Sequence, residues 1–168
     1  SNTEAGLIFT AFMVGYTIFS PVAGTLTDKF GGRIVISSFC VAMGFGSILM
    51  GTITSLWAGI ASFFIVGFGA SASWVGNAAV IQRWFTLGWR GKALGILDMG
   101  SPLGFGTMGI LLPVITLREG WRAGWYLLGL TSILIGVIDL ALLRNDPRNV
   151  GLRPWGRSSE REDIGGSE

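Results

Sequence analysis

Histidine is absent from this 168-residue chain, and cysteine occurs once. The first absence removes His-based catalysis, His metal sites and His proton relays together. Cys40 lies inside an apolar run with no second cysteine to pair with, so there is no disulfide framework and no thiolate cluster. It reads as a small buried apolar residue. Charge is scarce as well. Asp, Glu, Lys and Arg make up 13% of the chain, against about 25% in an ordinary soluble domain. No nucleophile–base pair and no metal-ligand set stands out, so the chain does not read as an enzyme and calls for no cofactor. The basic excess, with a pI near 9.1, is strung between apolar runs. A nucleic-acid surface would need it gathered on one face.

What the chain does have is apolar length. Half of its residues are hydrophobic, mean hydropathy is +0.60, and glycine is counted 27 times. Runs of about eighteen or more apolar residues are bilayer helices rather than a soluble core. The glycine excess, without a lattice of turns to absorb it, points to close helix packing in lipid. The expected fold is therefore an all-α membrane protein with five spans, at about 5–26, 34–53, 57–81, 93–117 and 124–143. At ~1.5 Å per residue the first covers roughly 33 Å, enough for a hydrocarbon core. The third is rich in small residues, with Gly69 and Ser73, and Ala72 and Gly76, spaced four apart as in faces that let helix backbones approach.

Between spans the charges are lopsided. Ten of the twelve Lys and Arg fall after the first span, after the third, or in the polar segment 144–168, while Arg118 and Arg122 fall on the other side. The positive-inside rule then puts the 144–168 segment in the cytoplasm and the N-terminus outside. The composition of that last segment predicts disorder or loose order. The opening Ser-Asn-Thr-Glu carries neither an initiator Met nor a signal peptide, so the chain reads as beginning inside a longer protein.

Few polar residues lie within the spans. Asp98 sits in the fourth, where a carboxylate costs on the order of 2.5–3.5 kcal/mol at the helix centre and so faces protein or a water-filled path. It reads as a shallow partner for a basic loop residue such as Lys92, or as a proton or cation site in a translocation pathway. Asn77 reads as an interhelical hydrogen-bonding group, with substrate contact as the alternative. Tyr16 reads as packing, or as lining a water-filled cavity. Gly100, Pro102 and Gly104 combine a GxxxG face with one deleted backbone bond, a device for packing and bending. Gly104, Gly106 and Gly109 match the dinucleotide fingerprint by letter, but that fingerprint works where a strand turns into a helix. This copy lies mid-way along an apolar run.

The stretch that organises the rest is Gly24 to Arg33, a charged, glycine-pinned turn between the first two spans. Gly31 and Gly32 supply the positive φ a sharp reversal needs. Gly24, Leu26, Asp28, Lys29, Gly31 and Arg33 resemble the signature loop of the major facilitator superfamily, Gly-x-Leu-x-Asp-Arg/Lys-x-Gly-Arg-Arg/Lys, with Gly32 where the family usually has a basic residue. Arg83-Trp84-Phe85 with Arg90-Gly91-Lys92 is similar to the family's connection from helix four to helix five. Gly100–Gly104 is similar to its helix-five motif, and Gly120-Trp121-Arg122 to the start of helix six. Arg144-Asn-Asp146-Pro147 with Gly151-Leu152-Arg153-Pro154 resembles the opening of its central loop.

This resemblance implies family helices two to six of a six-helix N-terminal bundle. Helix one and the C-terminal six-helix half would then be partners from the same polypeptide, with membrane lipid around them. It implies a secondary transporter working by alternating access on a small organic solute, a carboxylate among the candidates, coupled to a proton or counter-anion, in the bacterial inner membrane. The nearest flavour is the oxalate/formate antiporter and monocarboxylate transporter branch. It also implies a conformational latch formed by Gly24, Asp28, Lys29, Gly31, Arg33 and Arg83, with Arg33 or Arg83 as the cation for Asp28. A simple orientation anchor is the alternative. Phe63 stands where the fourth helix often carries an Arg, which argues against proton-antiport drug efflux. The other class of function considered is a stand-alone five-helix scaffold or regulatory membrane protein without transport.

Overall fold

The structure, a computed structural model, describes residues 2–156. Six α-helices follow in order: α1 (Asn2–Phe30), α2 (Gly32–Thr52), α3 (Leu56–Trp84), α4 (Leu87–Asp98), α5 (Gly100–Glu119) and α6 (Trp121–Leu142), with a short 3-10 turn at Pro147–Val150. Beta structure among the described residues is limited to one parallel bridge, Phe85 to Trp155. Taken with its one-residue break, α4–α5 is a single 33-residue arm, and five helices are long and apolar enough to cross a membrane.

The helices run past their apolar segments, and the reversals are shorter than the sequence suggests. Most of the charged signature stretch is helical. Only Gly31 lies outside a helix, at φ 85°, and it alone reverses the chain between α1 and α2. Gly32, expected to share that turn, is the first residue of α2. Its lack of a side chain serves packing instead, because a Cβ there would strike Val80 on α3. Gly120 makes the same one-residue reversal between α5 and α6, at φ 82°. Ser55 starts α3 by accepting the Ala58 N–H at 3.3 Å, an ordinary N-cap.

The core sits where α3 packs between α1 and α2, with α6 on the far side of α2. Ala23, Val35, Phe39 and Ala72 form its centre, with Leu26 and Phe68 against them. Glycines set the approach: a Cβ at Gly67 would meet the backbone of Phe12, one at Gly69 the backbone of Met43, and one at Gly44 the carbonyl of Gly129. Without a hydrophobic effect between lipid-bathed helices, such close van der Waals contact is what holds them. Most buried hydroxyls cost little, since Thr27, Ser47, Ser62 and Ser71 each donate to a carbonyl three or four residues back in their own helix, whereas the buried Ser37 Oγ has no partner among the described residues. Ser132 instead crosses from α6 to the Cys40 carbonyl at 2.8 Å, and the Tyr126 hydroxyl reaches the Gly51 carbonyl at 3.2 Å.

The α4–α5 arm is different. No residue of it is buried. Its break falls at Met99 because Pro102, three residues on, has no N–H to offer the Asp98 carbonyl. The bonds on either side survive, Met99 N–H to Gly95 and Leu103 N–H to Met99. Pro102 thus deletes one backbone bond of the arm, while Met99 keeps helical dihedrals at φ −60° and ψ −21°. A Cβ at Gly100 or Gly104 would meet no described residue within 4 Å.

The segment after α6 was expected to be loose, and up to Gly156 it is tied down. Asn145 bonds the start of α2, the Arg144 carbonyl accepts the Trp84 indole N–H at 2.8 Å, and Trp155 exchanges backbone bonds with Trp84 and Thr86. Pro147 is buried. Polar composition misled because these bonds are made by backbone and by single side chains, not by an apolar face. Residues 157–168 lie outside the described residues.

Candidate functional site

Asn77 and Tyr16 come together on one cavity of about 500 Å³ between α1, α3 and the break in the arm. α3 contributes Ser73, Trp74 and Asn77, three residues that helical spacing puts on one face. α1 contributes Tyr16, whose ring stacks 6.2 Å from Phe12. Leu97 and Ser101 close the wall from either side of Met99. The Asn77 amide nitrogen donates to the Ser73 carbonyl of its own helix at 2.7 Å. It is therefore not the bridge between helices that was expected, and its carbonyl oxygen is left for whatever enters. The wall offers hydroxyl, amide and aromatic faces, and no charged side chain among the described residues lines it.

Asp98 is not on this wall. It is the exposed last residue of α4. Lys92, its expected partner, lies instead over the Trp89 ring at 4.5 Å. Asp98 forms no ion pair with the described residues. Trp74, Ser73 (read from sequence only as a small packing residue) and Ser101 were not singled out as site residues. The signal for the first two was available, since they lie three and four residues before Asn77.

The proposed latch residues gather at the arginine-rich end without forming one network. Arg33 donates its Nε to the Leu140 carbonyl at 2.6 Å and its backbone N–H to Asn145 Oδ1 at 2.7 Å. Arg83 lies elsewhere, on a second cavity with Arg90 and Arg148. Lys29 sits 5.4 Å over the Phe30 ring. Asp28 pairs with no cation among the described residues. Gly24 is in ordinary contact with Val75 of α3. Phe63 packs between Phe12 and Trp125, with ring centroids 5.4 and 5.6 Å away, filling with aromatic surface the place where the family often has a cation.

Residues 1–160 match the family model of the Major Facilitator Superfamily. The chain belongs to that superfamily. It is an integral membrane protein, with five helices able to span. Among similar proteins are the membrane sensor protein UhpC of Salmonella typhimurium, 28% identical over 93% of this chain and 35% of that protein. Another is the hexuronate transporter of Bacillus subtilis, 26% identical over 88% of this chain and 35% of that protein. A third is the probable galactarate/D-glucarate transporter GarP of Escherichia coli, 27% identical over 86% and 34%. The chain thus spans about a third of the length of these relatives.

Proposed function

We propose that this superfamily chain forms most of the N-terminal bundle of a secondary transporter that carries small hydroxylated organic acids across a bacterial inner membrane. The observation that carries the reading is the cavity walled by Tyr16, Ser73, Trp74, Asn77 and Ser101. It has the hydrogen-bonding groups and aromatic faces that suit a polyhydroxylated solute. It lacks a cation, so the carboxylate would be met by residues of further helices, facing this bundle across a midplane site in an alternating-access cycle. A coupled proton or counter-anion belongs to the same proposal, as does the cytoplasmic placement of the arginine-rich end. The relatives named for hexuronate and for galactarate and glucarate support a sugar acid. The narrower oxalate/formate and monocarboxylate assignment draws on sequence motifs alone.

The test is uptake by the full-length protein in proteoliposomes, with hexuronate, glucarate, oxalate and lactate offered in turn. Saturable uptake of a sugar acid supports the reading, and uptake of lactate or oxalate alone moves it to the monocarboxylate branch. A regulatory role without transport has one specific observation in its favour, the likeness to a membrane sensor protein. Binding of a sugar acid with no uptake in any gradient would favour it.

A further inference from the structure

We propose that the cavity where the segment after α6 crosses the α3–α4 junction binds the phosphate of an anionic phospholipid. The cavity measures about 330 Å³, and Arg83, Arg90, Arg148, Asp146 and Thr86 line it. Arg90 is held as a fixed donor, its Nε bonded to the Phe85 carbonyl at 3.1 Å and one Nη to the Gln82 carbonyl at 2.8 Å. Its other Nη bonds no described residue. The side chains of Arg83 and Arg148 make no bond to the described residues. Asp146, the one carboxylate among the described lining residues, accepts the Arg148 backbone N–H at 2.8 Å and forms no ion pair with the three arginines. The Thr86 hydroxyl does not cap its own helix. Three guanidinium groups face a single carboxylate, and the planar guanidinium fork matches phosphate oxygens.

The surroundings choose the source of the phosphate. Thr86 is followed by Leu87, 82% exposed, and bonded through its backbone to Trp155, 67% exposed. Trp89, also exposed, lies against Gly156. Tryptophans with an exposed leucine beside them belong at headgroup depth, the level at which lipid phosphates lie. A soluble phosphate would use the charges and leave the apolar rim bare.

The experiment is native mass spectrometry of the full-length protein in detergent, titrated with phosphatidylglycerol, phosphatidylcholine or inorganic phosphate. Phosphatidylglycerol should occupy one site in preference to phosphatidylcholine. Losing two cations at a membrane surface, at about 1 kcal/mol each, predicts roughly thirtyfold weaker binding for the Arg83→Gln, Arg148→Gln double variant. Arg148→Gln alone, an exposed change in the 3-10 turn Pro147–Val150, should weaken it roughly fivefold. Arg118→Gln, at the opposite end, should leave it unchanged. Unaltered phosphatidylglycerol binding in the single Arg148→Gln variant would overturn the site. Inorganic phosphate binding as tightly as phosphatidylglycerol, and lost in that variant, would overturn the lipid assignment.

Discussion

Asn145 accepts the backbone N–H of Arg33 at 2.7 Å, a bond between residues 112 positions apart. Arg33 is the second residue of α2, whose N-cap position is Gly31 and carries no side chain to do this work. The segment after α6 therefore supplies the cap that the signature turn lacks. The Arg33 side chain answers in the other direction, through the Leu140 carbonyl. The reversal between α1 and α2 and the exit of α6 are held as one unit.

That pairing predicts a stability effect far from any cavity. Asn145→Ala should lower stability by about 1 kcal/mol, the usual cost of an N-cap, while Asn145→Asp keeps the acceptor and most of the stability. Thermal unfolding of the purified protein in detergent measures both. Equal melting of Asn145→Ala and wild type would mean that the bond contributes nothing.

Glycines should divide into two classes by what a Cβ would touch. Gly67→Ala drives a methyl into the Phe12 backbone and has to separate α1 from α3. A loss on the order of 1–3 kcal/mol, typical of overpacking, is expected. Gly91→Ala on α4 meets nothing within 4 Å and should be neutral or gain up to about 1 kcal/mol from helix propensity. The same melting assay separates them.

Pro102 accounts for the break in the arm, so Pro102→Ala should close it by restoring an N–H for the Asp98 carbonyl. Spin labels at Gly91 and Ile110 should then show a narrower distance distribution by pulsed electron resonance. Uptake should fall if bending at Met99 is part of the transport cycle. An unchanged distribution would shift the cause of the break away from proline.

Orientation has its own test. In a Cys40→Ala background, a cysteine at Thr54 should react with an impermeant reagent added outside the cell, and one at Gly88 should not. The reverse labelling would invert the orientation drawn from the arginine distribution.

Apolar length alone made the five membrane-crossing helices legible, because nothing in water satisfies such segments. The reversal at Gly31 was legible because positive φ selects glycine. Pro102 announced the deleted bond to the Asp98 carbonyl, and the bonds on either side of it persist. The cap from Asn145 was out of reach, since a lone polar side chain in a polar loop carries no periodicity to mark it. Asn77 and Tyr16 could be named as polar exceptions in apolar spans, yet only packing shows that Asn77 spends its donor on Ser73. Asp98 stood out by charge, and the structure places it at the exposed end of α4. Its surroundings depend on where α4 ends, which hydropathy does not report.

The most direct measurement of the central claim is sugar-acid uptake by the full-length protein carrying Asn77→Ala and Trp74→Ala, singly and together, in proteoliposomes with matched protein insertion. Loss of a hydrogen bond or an aromatic face in a solute site, at roughly 1–3 kcal/mol, predicts a fall in kcat/KM of about five- to 160-fold for each variant. Wild-type uptake by the double variant would show that solute does not pass through the cavity beside α3, and would contradict the account.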